Sequence, residues 1–153
     1  MTFDDRVLRH RRDFDKIEWR GGPVLCLGAG DGAEVAALRD FSLLAIGIDM
    51  EYPKDSTLVH HGDMSKIPYP VKSFDTVYCR LDDPDLDLDL VFAEIKRVLI
   101  TYGQFVFRLT DDKDHRRQMI LDRLRLAGFS MLERHETLEG AAHYDCVSTR
   151  NGG

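Results

Sequence analysis

The sequence predicts an α/β protein, a Rossmann-like, doubly wound, mostly parallel seven-stranded sheet with a C-terminal antiparallel hairpin. Three observations carry this. From Pro23 onward, short apolar runs alternate with segments of helical periodicity, the pattern of a parallel sheet with helices on both faces. The first apolar run stops at Gly28, and Gly30 and Gly32 follow before a helical pattern begins, which reads as a tight strand-to-helix turn. Near the end, only "EGAA" separates "SMLERHETL" from "HYDCVST". That gap is too short for a crossover helix, so the two strands pair as a hairpin.

The elements follow in order. Phe3 to about Trp19 reads as a mixed-charge helix with a sparse apolar stripe of Phe3, Val7, Phe14 and Ile17, ended by "RGGP". "VLCLG" is a buried strand, and "DGAEVAALRDF" a helix with Val35 and Leu38 on one face. "LLAIGIDM", "TLVHHGDM" and "SFDTVYCR" are the second, third and fourth strands. Only "EYPKDS" links the second to the third. It allows a loop or a single turn and leaves one sheet face thinly covered; the N-terminal helix, or a second copy of the chain in a homodimer, is the candidate to hide that face. A helix around "LDLVFAEIKRVLI", a strand "QFVFRLT" and a helix "DHRRQMILDRLRLAGF" precede the hairpin. Nothing divides the chain, so residues 1–153 are expected to form a single domain, with 1–20 as an N-terminal helical extension.

Composition narrows the function. A chain of 153 residues, 43% hydrophobic and 31% charged, can build a core without disulfides or metal. A net charge of -6 argues against a broad electrostatic grip on nucleic acid, so no nucleic-acid partner is indicated. The opening "MTFDDRVLRHRRDFDKIEWR" is charged throughout and is neither a secretory signal nor a membrane span, so no membrane partner is expected. Cys26, Cys79 and Cys146 lie far apart in apolar segments, as buried thiols do in a reducing compartment; a cytoplasmic location follows as an expectation.

Several polar clusters read as structural. Asp83, Asp85, Asp87, Asp89 and Glu94 imitate the spacing of a calcium loop, but Leu88 stands where that loop needs glycine. The run reads instead as an acidic helix start with Pro84 near the first turn. His60 and His61 lack a third ligand at metal spacing, and no metal site is expected. His115, Arg116, Arg117, Arg123 and Arg125 read as a solvated helix face among acids, and the N-terminal "RHRRD" is offset by Asp4, Asp5, Asp13 and Asp15.

In a doubly wound sheet, ligands bind beyond the carboxyl ends of the strands where strand order reverses, beside the first strand-to-helix turn. "GAGDGA" fits the dinucleotide pattern G-x-G-x-x-G/A and also the looser G-x-G-x-G loop of S-adenosylmethionine binders. Asp49, ending the second strand, can accept from ribose hydroxyls, which both cofactor classes contain. At this level the choice between NAD and S-adenosylmethionine stays open.

Downstream motifs separate them. From about Pro23 to Thr149 the chain resembles the class I S-adenosylmethionine-dependent methyltransferases, particularly the small-molecule type with an uninterrupted core. "VLCLGAGDG" is similar to the glycine loop, "GIDM" to the ribose-binding strand end, and "HGDMSKIPYPVKSFDTVYC" to the adenine loop with its fourth strand. "FAEIKRVLITYGQFVFRL" and "LRLAGFSMLER" are similar to the segments that follow. The resemblance implies that Gly28, Ala29 and Gly30 form the loop facing the cofactor's methionine part. It places Asp49 at the ribose and Met50 against the adenine. Asp63 would accept from the adenine amino group, and the backbone N–H of Met64 would meet a ring nitrogen.

The chain also departs from the family. Cys26 stands where an acidic residue usually orients the cofactor's methionine end, and offers at most a weak hydrogen bond. "CRLDDPDLDLDL" replaces a longer substrate-facing segment, and "ITYGQ" replaces the common Lys-Pro-Gly-Gly turn. The resemblance implies methyl transfer to an unidentified acceptor, and position alone suggests Asp82 or Asp83 as base and Arg80 to orient an anionic acceptor. A catalytically reduced binding or regulatory protein of the same fold is the alternative. A nicotinamide oxidoreductase has the glycine pattern but no hydride-transfer constellation.

Overall fold

The computed structural model describes residues 1–41, 44–51, 56–110 and 114–149. Seven strands form one sheet: β1 (Pro23–Leu27), β2 (Leu44–Asp49), β3 (Val59–His61), β4 (Phe74–Arg80), β5 (Leu99–Thr110), β6 (Phe129–Glu136) and β7 (Ala141–Ser148). The helices are α1 (Phe3–Phe14), α2 (Ala33–Arg39), α3 (Leu88–Val98) and α4 (Asp114–Leu126). Strand order is β3-β2-β1-β4-β5-β7-β6. The first five in sequence pair in parallel, and β7 runs antiparallel to both β5 and β6. Order reverses between β1 and β4, so the β1–α2 turn sits at the switch point.

Alternation along the strands builds two cores. Leu25 and Leu27 of β1, Val77 and Cys79 of β4, and Phe105 and Phe107 of β5 face one side, with Val91, Phe92 and Ile95 of α3 and Ile120 and Leu124 of α4. Val24, Cys26, Tyr78 and Val106 face the other, with Phe14 of α1 and Val35 and Leu38 of α2. The period of two decides which side each residue buries.

The second face is covered by α1. Thr2 caps that helix through a reciprocal pair of bonds with Asp5. The helix is shorter than expected: it ends at Phe14, because Asp15 serves as its C-cap and the chain turns so that Trp19 Nε1 donates to the Phe14 carbonyl at 2.9 Å. Ile17 still reaches the core beyond the helix end. The short link after β2 lies partly outside the described residues, which resume at Ser56.

α3 starts at Leu88, as the sequence reads, with Asp87 Oδ1 accepting from Leu90 N; Pro84 lies in the preceding loop and not in the first turn. Other boundaries shifted for physical reasons. "ITYGQ" is a bulge within β5: pairing with β4 jumps from Leu99↔Phe74 to Gln104↔Thr76, with Tyr102 at φ 61°. The hairpin turn falls at residues 137–140, because Ala141 and Ala142 already pair with β5. No helix among the described residues is long and apolar enough to cross a membrane.

Candidate cofactor site at the glycine loop

The turn after β1 bends through three left-handed glycines, Gly28 (φ 62°), Gly30 (φ 57°) and Gly32 (φ 90°), a conformation that side chains resist. A Cβ on Gly30 would meet nothing within 4 Å, so its backbone lies open to an approaching group. A Cβ on Gly32 would lie 2.9 Å from the Leu58 Cβ, which makes that glycine a packing requirement.

Two protein contacts already shape the loop. Ala29 N donates to the Ile48 carbonyl at 3.0 Å, and Gly30 N donates to Asp49 Oδ2 at 2.9 Å. Asp49 Oδ1 accepts from Glu51 N at 2.8 Å. Two N–H groups of the turn and helix start are therefore already engaged: Asp49 takes that of Gly30, and Asp31 Oδ1 takes that of Ala33 at 3.2 Å.

The adenine-loop candidates lie beside this turn. The Met64 methyl would touch a Cβ on Gly28 at 3.2 Å, which brings "GDM" against the glycine loop. Met50 is exposed at the end of β2. Asp63 Oδ1 accepts from Ser65 N at 2.9 Å and from Ser65 Oγ at 2.7 Å, and these bonds hold its carboxyl below the usual range. Both bonds fall on one oxygen, and the residue is exposed. Gly28, Ala29, Gly30, Asp49, Met50, Asp63 and Met64 thus come together along the ends of β1, β2 and β3.

The three residues considered for chemistry do not converge. Asp82 straps the end of β4 to β5, its Oδ1 accepting from Thr110 N at 2.7 Å and its Oδ2 from Thr110 Oγ1 at 3.1 Å. Asp83 lies in an exposed turn, with Oδ1 accepting from Asp85 N at 2.9 Å. Arg80 turns back toward the glycine loop, where its Nε donates to Glu34 Oε1 at 2.9 Å and its Nη2 lies 3.4 Å from His10 Nε2. Burial opposes the charge on Arg80, but the Glu34 carboxylate holds its pKa above the ordinary value.

Glu34 is the residue that sequence reasoning missed. Its side chain is 5% exposed, and its second oxygen, Oε2, accepts no hydrogen bond. A signal was available: Glu34 lies four residues before Leu38, on the stripe that faces the core. In the first turn of a helix it reads as an ordinary dipole partner, which masks its burial.

These residues border a cavity of about 210 Å³ lined by Arg6, His10, Asp31, Glu34, Arg80 and the backbone of Gly28 to Gly30. That is smaller than the ~300–1,000 Å³ of a whole small-molecule pocket. Its size suits one polar end of a ligand and not a whole one. The glycine backbone and the open side of Gly30 fit the close approach of an adenosyl compound. A larger cleft of about 690 Å³ at the opposite strand ends includes Lys72, Lys96 and Tyr102. Lys96 there is already committed to the Gly128 and Thr149 carbonyls.

Comparison with known proteins follows the same line. A family model described as a methyltransferase domain matches residues 25–107. No curated protein matches the sequence. The fold is similar to that of the PH0226 protein from Pyrococcus horikoshii OT3, with a TM-score of 0.78 at 18% identity over 96% of this chain and 91% of that one. It is also similar to the [4+2]-cyclase SpnF, with a TM-score of 0.75 at 15% identity, covering 95% and 82% of the two chains. A TehB-like SAM-dependent methyltransferase from Corynebacterium glutamicum ATCC 13032 aligns with a TM-score of 0.68 at 15% identity, covering 92% and 87%.

Proposed function

The chain belongs to the methyltransferase domain family, and from that premise we propose that residues 1–153 act as one unit that transfers a methyl group from S-adenosylmethionine to an acceptor. The observation that carries this reading is the placement of the glycine turn, the Asp49 carboxylate and the "GDM" loop along one row of strand ends at the switch point. When bound, S-adenosylmethionine supplies an activated sulfonium methyl group. The residues of this chain bind, orient and exclude water.

Gly28, Ala29 and Gly30 give the methionine part a backbone surface free of side chains. Asp49 accepts from the ribose hydroxyls with the lone pairs left by Gly30 and Glu51. Met50 and Met64 supply polarisable surface for the adenine, Asp63 accepts from its amino group, and the Met64 N–H meets a ring nitrogen. Arg80 pairs with Glu34 beside this loop. Asp82, with both oxygens engaged by Thr110, serves the fold before any proton transfer.

A second reading has its own support. α1 borders the cavity and is fastened about one turn apart, by Arg6 to Asp31 beside the glycine loop and by Arg9 to Glu139 of the hairpin turn. Asp13 Oδ1 also accepts from Leu138 N at 3.1 Å. A fastened helix beside a small cavity suits a protein that holds the cofactor without transferring its methyl group, and the likeness to a cyclase illustrates that the fold hosts other work.

Incubation with methyl-labelled S-adenosylmethionine and a panel of oxygen, nitrogen, sulfur and carbon acceptors separates the two. Label transfer above the uncatalysed rate supports the enzyme. Tight cofactor binding with no transfer to any acceptor supports the binding module and contradicts the enzyme.

A further inference from the structure

We propose that the large cleft at the amino ends of β4 and β5 is a second ligand site, one that holds a small phosphorylated molecule carrying a planar ring. It is separate from the glycine turn and does not rest on the cofactor reading. β4 is seven residues long, which sets its two ends roughly 20 Å apart. A ligand in this cleft is therefore out of reach of chemistry at the glycine turn.

Charge marks the cleft first. Lys72, Lys96 and Arg97 line it, and no acidic residue does so among the described residues, in a chain whose net charge is -6. Arg97 is matched by Glu94 at 2.7 Å. Lys96 is matched by no carboxylate among the described residues. Two of its three donors go to the Gly128 and Thr149 carbonyls, which leaves one donor and a full positive charge. Burial lowers its pKa, as it does for a cation short of counter-charge. The negative end of α3 accounts for cations in its own last turn. Lys72 lies outside that helix, in the turn before β4. It is exposed, and among the described residues its ammonium has no partner.

Backbone conformation singles out the same place. Lys72 (φ 55°) and Tyr102 (φ 61°) are the non-glycine residues with left-handed φ among the described residues, and both line this cleft. Side chains resist that region, and strain of this kind gathers at ligand sites. Each residue is held there by its backbone. Lys72 N donates to the Arg97 carbonyl at 3.0 Å, and the Tyr102 carbonyl accepts from Arg20 Nη1 at 3.0 Å. Both are thus in place before any ligand arrives.

Tyr102 is 54% exposed, an aromatic ring left in solvent beside cations. A planar ring can stack on it while Lys72 and the remaining Lys96 donor take phosphate oxygens. Thr101 and Ser148 add hydroxyl groups to the lining. A volume of about 690 Å³ suits a whole small molecule and not only a single ion.

An amide chemical-shift titration of the full chain with phenyl phosphate and, separately, inorganic phosphate tests this. Phenyl phosphate should give saturable shifts at residues 71–73 and 101–103 and leave 28–30 unmoved. Inorganic phosphate should shift the same residues with weaker affinity. Lys72→Met should weaken phenyl phosphate by about tenfold. Tyr102→Ala should weaken phenyl phosphate several-fold and leave inorganic phosphate within about twofold. Lys72→Gly removes the charge and the strain together, so it should lose binding as Lys72→Met does without a lower melting temperature. No saturable shift in the parent at millimolar concentrations, shifts centred on the glycine turn, or parent affinity in Lys72→Met overturns the proposal. Each of these leaves the cofactor reading standing, because titration with S-adenosylhomocysteine tests that reading on its own.

Discussion

Asp49 and Gly30 are joined by a 2.9 Å hydrogen bond from the glycine N–H to the aspartate Oδ2, while Oδ1 accepts from Glu51. One carboxylate therefore fastens the glycine turn to the end of β2. From the sequence alone, Asp49 would serve the ligand and be dispensable to the fold. The structure adds a fastening role to the ligand role proposed above.

Asp49→Ala should consequently lower stability without ligand by about 1–2 kcal/mol, since two backbone donors lose a charged acceptor. It should also weaken S-adenosylhomocysteine by roughly tenfold to a few hundredfold. Asp49→Asn keeps one acceptor and should lose less of each. Calorimetric unfolding of the ligand-free variants, followed by titration, reads both effects. Unchanged ligand-free stability in Asp49→Ala would contradict the fastening role.

Gly30 and Gly32 should separate binding from packing. Gly30→Val places a branched side chain in open space at a left-handed φ, so it should fold, at a cost of about 1–2 kcal/mol, and lose the ligand. Gly32→Val drives its Cβ into Leu58 and should cost distinctly more stability. Circular dichroism melts and binding titrations on the same samples rank them. A folded Gly30→Val that binds as the parent does would place the ligand elsewhere.

The contrast between those two glycines shows what was legible in the sequence. The β1–α2 turn, the mostly parallel sheet and the hairpin follow from apolar period and glycine spacing, which local sterics dictate. So does the grouping of Asp49 with the turn, because strand ends in this topology gather at one edge. The Arg80–Glu34–His10 cluster was not legible. Its members come from β4, α2 and α1, and their meeting depends on how α1 lies across the sheet. The Asp82–Thr110 bond was not legible for a similar reason: Thr110 lies 28 residues away on β5, and only the β4–β5 register brings them together.

The ion pair should be asymmetric. Glu34 is 5% exposed and Arg80 40% exposed at their side chains. Arg80→Met leaves a buried carboxylate without its counterion and should cost about 2–3 kcal/mol. Glu34→Gln leaves a guanidinium that reaches solvent and should cost less. Urea midpoints at constant m-value decide it. Equal losses would contradict the stated burial.

Acid should expose the buried histidine under α1. Burial first, then the Arg108 charge, push His143 down to about 3 from an ordinary 6.5, while Tyr78 OH lies 3.3 Å from its Nε2. The folded state keeps the ring neutral, so the unfolded chain binds the extra proton. Stability is complete above pH 6.5 and falls as pH drops toward 3, by up to about 1.4 kcal/mol per pH unit. His10, lowered by burial, acts in the same direction. Asp145, raised by burial, acts in the opposite one at lower pH. Denaturant midpoints between pH 7 and 5 should fall more steeply for the parent than for His143→Phe. Parallel slopes would contradict a neutral buried His143.

The most direct test of the central claim is calorimetric titration of the unmodified protein with S-adenosylhomocysteine and, separately, NAD. One adenosyl compound should bind per chain, with stabilisation of about 2.7 kcal/mol at a hundredfold excess over the dissociation constant, and NAD should give no stabilisation. Binding of NAD, with none of S-adenosylhomocysteine at millimolar concentration, would contradict it.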